Sequence, residues 1–149
     1  MITLNDPPEL RVDASSLLST GTLGTAANPV TGGLVYNGEF AAGYDNFFFQ
    51  GEYDHYSVNR QGLATANFWG TYGMVSWVLT GEHRNYNRAT GAYGSITPRE
   101  NFSISKGGIG AWELAARVSY TDLVDHYAYG TALAAQPNAV NGGIQTPSA

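Results

Sequence analysis

Glu113 and Arg117 stand four residues apart in the stretch GAWELAARVSYTDL, Gly110 to Leu123. If that stretch is a strand, both side chains point the same way, because successive Cβ atoms alternate across the pleat. A guanidinium held there can attract an anion; it can equally pair with Glu113 or with a carboxylate on a neighbouring strand. Other chemistry has less support. His55, His83 and His126 lack metal-ligand spacing, and Asp54 and Asp125 lie beside two of them by adjacency alone, so no metal site is expected. Ser15, Ser16 and the Gly-rich segments have neither a nucleophile elbow nor a phosphate-loop spacing. Cys is absent, which removes thiolate ligands and disulfides. No enzyme and no cofactor are expected; what remains is charge, and its effect depends on the elements that hold it.

The period-two pattern defines those elements. In Gly110 to Leu123, Trp112, Leu114, Ala116, Val118 and Tyr120 share one face, opposite Glu113, Arg117, Ser119 and Thr121. Leu34 to Tyr44 repeats the pattern: Leu34, Tyr36, Phe40, Ala42 and Tyr44 oppose Asn37, Glu39 and Ala41. Asp45-Asn46 tolerates positive φ and predicts a tight hairpin into FFFQGEYDHYSV. On the returning strand Phe47, Phe49 and Tyr53 oppose Gln50, Glu52 and Asp54, with Phe48 an exception on the polar side. The full expectation is an all-β chain of antiparallel strands near 9–14, 34–44, 47–58, 68–80 and 110–122, joined by long loops at 15–33, 81–108 and 123–149. In 68–80 both faces are rather apolar, so periodicity does not say which looks outward.

Composition narrows the surroundings. Of 149 residues 13% are charged and 13% aromatic, with ten Tyr, six Phe, three Trp and 19 Gly. A typical soluble domain carries about a quarter charged residues. The formal charge is −5 and Lys106 is the only lysine, so no nucleic-acid partner is expected. No apolar run is long enough for a transmembrane helix, but a transmembrane strand needs only about 9 to 11 residues. An eleven-residue strand tilted near 45° climbs about 25 Å, the height of the apolar band of an outer-membrane barrel.

Several short motifs then occur in order: Leu79 to Arg84 with Tyr86, Gly91 to Tyr93, Pro98-Arg99, and Gly110 to Leu123. With PPELRVD near the start and NGGIQT near the end, the chain resembles the phosphate-selective porin O and P family of Gram-negative bacteria. The resemblance implies a sixteen-stranded transmembrane barrel of the outer membrane, a homotrimer for the full-length protein, and basic residues along a pore for small anions. Five candidate strands cannot close such a barrel, and the opening MITLNDPPEL has no basic n-region or apolar h-region. The expectation is thus an internal piece of a longer porin, with the inward-folded constriction loop outside it.

In that setting the faces acquire solvents. Trp112, Leu114, Val118, Tyr120, Tyr36, Phe40, Tyr44, Phe47 and Phe49 are expected to meet lipid or form its aromatic girdles. Arg117, Arg11, Glu113, Glu39, Gln50 and Glu52 are candidates for the pore wall. Arg60, Arg84, Arg88, Arg99 and Lys106 are expected in or beside loops. Acidic groups outnumber Arg11 and Arg117 on the polar parity, so phosphate specificity does not follow; a weakly selective passage for hydrophilic solutes fits as well. A soluble β-sandwich binding module, with Trp112 and Tyr120 in its core, is the alternative. An enzyme on a β-barrel has only scattered Glu and Asp in its favour.

Overall fold

The alternating segments become long strands, and Asp45 provides the reversal between the first two of them with φ 52°. A computed structural model describes residues 2–6, 18–128 and 135–142. Its elements are β1 (Asn5–Asp6), β2 (Leu18–Ser19), β3 (Val30–Tyr44), β4 (Phe47–Arg60), β5 (Ala66–Val78), β6 (Arg84–Asn87), β7 (Ala92–Ile96) and β8 (Glu113–Asp122). One sheet has the order β3-β4-β5-β8, and two-stranded sheets pair β1 with β2 and β6 with β7. The chain is all-β and antiparallel, and its four-stranded sheet is open, with β3 and β8 at the edges.

Several boundaries differ from expectation: β4 runs on to Arg60 and β5 spans Ala66–Val78. β3 starts at Val30, inside the predicted loop 15–33, which also contains β2. The predicted loop 81–108 contains the β6–β7 hairpin, turning at residues 88–91. Short polar segments such as RNYN bury little and pair only within that hairpin, so they carry no periodic signal. The last strand begins at Glu113 rather than Gly110, because Gly110 sits at φ 70°, outside extended geometry. The expected strand at 9–14, and Arg11 with it, lies outside the described residues.

The chain forms two compact units, residues 1–37, 54–70 and 120–149, and residues 38–53 and 71–119. In the first unit Leu23, Val58, Ala66, Phe68, Leu123 and Val140 form the buried cluster, with Leu4, Leu18, Val30 and Tyr56 packed on it. Backbone bonds from Thr20 to Leu4 and from Leu23 to Ile2, and a bridge between Asp125 and Val140, hold these pieces on the ends of β4 and β5. Arg60 ends β4 beside the 61–65 loop; it donates to the carbonyls of Ala64 and Asn138 and is buried.

In the second unit the turn at Asp45-Asn46 is tied to the end of β5: Val78 N–H donates to Asn46 O, and Asn46 Nδ2 donates to Val78 O, both at 2.9 Å. One apolar face of this unit is uncovered. Tyr44 is 80% exposed and Val118 77%, and Phe40, Phe47, Phe49, Tyr53, Val75, Trp77, Trp112 and Leu114 are exposed with them. Exposing one such side chain to water instead of burying it forfeits about 1.5–3 kcal/mol. A sandwich would cover this face with a second sheet, and among the described residues none does. Phe40 lies flat on Gly51, where a Cβ would come within 2.5 Å of its ring, so glycine is what lets that ring rest on the neighbouring strand.

Candidate functional site

The opposite face of the second unit carries its charges. Period two places Glu39 on β3, Gln50 and Glu52 on β4, Tyr72 on β5, and Glu113 and Arg117 on β8 toward one side. Their contacts agree with that placement. The Arg117 guanidinium carbon lies 3.7 Å from the centre of the Tyr72 ring. The Tyr72 hydroxyl accepts from Gln50 Nε2 at 2.8 Å and bonds the Glu52 carboxylate. Arg84 holds Glu113, with Nη2 at 2.8 Å and 3.0 Å from the two carboxylate oxygens.

That pairing comes from the connection between β5 and β8, residues 79–112, which folds back onto the polar face. Tyr93 on β7 accepts the Gly43 N–H at 2.9 Å through its hydroxyl and meets Phe48 edge-on at 5.1 Å. Tyr86 tilts against Tyr93 at 5.0 Å, and the Arg84 guanidinium lies 5.1 Å from the Phe48 ring centre. Phe48 is 6% exposed as a result. It breaks the alternation because its side of the sheet is covered at that point.

The base of the connection is knotted. Thr80 donates its hydroxyl to Glu82 and accepts the Trp112 N–H at 3.1 Å, while Leu79 N–H donates to Trp112 O at 2.8 Å. Glu82 also accepts the Arg99 backbone N–H at 3.3 Å, and Arg99 Nη2 donates to Gly81 O. The Thr80 hydrogen bond, helped by that of Arg99 and opposed by burial, holds the Glu82 carboxyl below the usual carboxylate range.

The histidines do not converge. His55 stacks on Tyr36, His126 reaches Thr65 O and Asp125, and His83 is exposed. Among the described residues no group of three potential metal ligands forms. Arg88 is exposed in the hairpin turn, and Lys106 occupies a second turn at 104–107.

With this geometry in hand, the comparison with known families is decisive: the phosphate-selective porin O and P model matches residues 1–145. The chain belongs to that family. No curated protein and no solved structure matches it. The porin O and P family is a family of outer-membrane channels, not of enzymes. The motifs that carry the resemblance turn out to be contacts: Thr80, Glu82 and Arg99 form the knot, Tyr86 and Tyr93 the hairpin's aromatic pair, and Arg84 and Glu113 the ion pair. Sequence reasoning singled out those segments without seeing what joined them. It missed Tyr72 entirely, because a tyrosine in a strand apolar on both faces gives no periodic signal.

Proposed function

We propose that these strands form one arc of a porin wall, with Glu39, Gln50, Glu52, Tyr72, Glu113 and Arg117 facing a water-filled lumen through which small hydrophilic solutes diffuse. The observation that carries this reading is the contrast between the two faces of the second unit. One is apolar and uncovered, and the other is a hydrogen-bonded polar row partly roofed by residues 79–112. An open sheet in lipid strands its edge N–H and C=O groups at several kcal/mol each, so further strands beyond β3 and β8 complete the barrel.

Aromatic residues support the same reading within each unit, Tyr44, Phe47, Trp77 and Trp112 in one and Tyr36, Trp69 and Tyr120 in the other, as girdle residues at a lipid interface. Long loops lie on the extracellular side of such barrels. We therefore assign the end carrying the Asp45-Asn46 turn and residues 79–112 to that side, and the short 61–65 connection to the periplasm.

Selectivity for phosphate has little support in this arc. Arg84 is engaged by Glu113, Arg117 lies on the Tyr72 ring, and three carboxylates share their face. A weakly selective passage is the better reading. The test is single-channel recording of the full-length protein in planar bilayers. Stepwise conductance at neutral pH is expected, and a reconstituted, folded protein without conductance overturns the proposal.

A further inference from the structure

Beneath the β6–β7 hairpin lies a cavity of about 360 Å3, within the range of small-molecule sites. It is lined by Glu39, Phe48, Gln50, Tyr86 and Tyr93, with Ala41 and Gly91 among the small residues that give it room. Its chemistry is one-sided. Glu39 lines the cavity, and among the described residues its carboxylate takes part in no hydrogen bond or ion pair. Gln50 gives one amide N–H to Tyr72 and keeps its carbonyl oxygen, beside the second N–H, for the cavity. The rings of Tyr86 and Tyr93, 5.0 Å apart and inclined by 55°, supply two electron-rich faces beside these acceptors. No cationic side chain lines it. Of the unit's other cations, Arg84 is held by both oxygens of Glu113, Arg117 lies on the Tyr72 ring, and Arg88 stands exposed in the turn.

A carboxylate, a carbonyl oxygen and two aromatic faces without a positive group attract a cation and repel an anion. We propose that this cavity is a binding site for a small organic cation, a solute with an ammonium group, seated between Glu39 and the Tyr86–Tyr93 pair. The proposal rests on the polar face being the lumen, and it names the solute class that this part of the lumen holds in passing. An anion such as phosphate meets no cationic side chain there, only neutral donors beside the Glu39 carboxylate, and moves past it. The ammonium gains Coulomb attraction from Glu39 and quadrupole attraction from the rings, and it loses only weakly held water because the site opens onto the lumen.

The probe is choline chloride, with inorganic phosphate as the competitor. Choline added to the full-length protein in potassium chloride is expected to reduce single-channel current with resolvable flicker. Glu39→Gln should raise the half-blocking concentration about tenfold, while Tyr86→Leu raises it about threefold and Tyr86→Phe leaves it unchanged. Should Glu39→Gln fail to assemble, the Leu and Phe variants of Tyr86 still separate a ring effect from a hydroxyl effect. Saturation-transfer NMR on the choline methyl protons, with protein in detergent micelles, reads binding whether or not the channel conducts. A folded protein that binds choline without conducting defeats the pore reading alone. Phosphate block at lower concentration than choline, or choline block and binding indifferent to Glu39 and Tyr86, defeats the site.

Discussion

Ala115 and Ala116 are neighbours on β8, both exposed, and they point to opposite faces of the sheet. Ala116 lies between Leu114 and Val118, midway between Trp112 and Tyr120; Ala115 lies between Glu113 and Arg117. Replacing each in turn by arginine adds the same atoms and the same charge one residue apart. With the Ala116 side in lipid near the midplane, as proposed, the charge costs about 2–4 kcal/mol, a factor of roughly 30 to 900 in the folding equilibrium. On the wet face Ala115→Arg gains one carboxylate neighbour and one guanidinium neighbour, so its cost stays near the roughly 0.5 kcal/mol of an ordinary surface change. The assay is reversible denaturant unfolding of the full-length protein in lipid vesicles, followed by tryptophan fluorescence. Ala116→Arg is expected to unfold at clearly lower denaturant than Ala115→Arg. Coincident transitions for the two variants would refute the assignment of faces, since no soluble surface distinguishes two exposed alanines by that much.

Three other outcomes follow from residues 79–112. Arg84→Met keeps the stem beside Phe48 but frees Glu113; the pair is about a quarter exposed, so stability falls by at most about 1 kcal/mol. Single-channel conductance and its noise should both rise as the hairpin loosens, and unchanged records would show that it does not restrict the path. Tyr93→Phe keeps the ring on Phe48 and removes the acceptor of the Gly43 N–H, at a cost of about 1 kcal/mol, read as faster hydrogen exchange at Gly43. Glu82 titrates below its unfolded value, so its contribution is complete above about pH 4.3 and is lost as pH falls through the lower folded value. Protease access to residues 81–108 should therefore increase only in acid, and Glu82→Gln should show that access already at neutral pH.

How far the sequence alone reaches is clearest where the alternation fails. In Leu34 to Tyr44 and Trp112 to Tyr120 one face meets a single solvent along its whole length, so the period of two survives and the strands are legible. Phe48 and Phe68 stand on the polar parity yet are buried, the first under Tyr93 and the second in the Leu23–Val140 cluster. Each marks a place where a distant segment covers the sheet, which a local pattern cannot encode. The same cause hid the outward face of β5, whose opposite parity includes Phe68, Ser76 and Val78, all nearly inaccessible. The pairing of Arg84, at the start of β6 beside a loop, is illegible for a related reason: its partner Glu113 is twenty-nine residues away and is brought to it by the return of residues 79–112.

That return also decides what can set the width of the path. The knot of Thr80, Glu82, Arg99 and Trp112 fixes both ends of the connection where it leaves the sheet, while the hairpin beyond is held by Tyr93 on Gly43, by Phe48, and by one quarter-exposed ion pair. The aromatic contacts lose little when salt screens charge, whereas the ion pair weakens as the Debye length shrinks from about 10 Å at 0.1 M to 3 Å at 1 M. If the rings hold the hairpin, conductance divided by bulk conductivity stays constant across that range. If Arg84 and Glu113 hold it, the ratio climbs with salt, and the Arg84→Met variant loses the climb. The ring contacts outnumber the single exposed pair, so the constant ratio is the expected result, and a rise in the native protein would transfer control of the aperture from aromatic packing to charge.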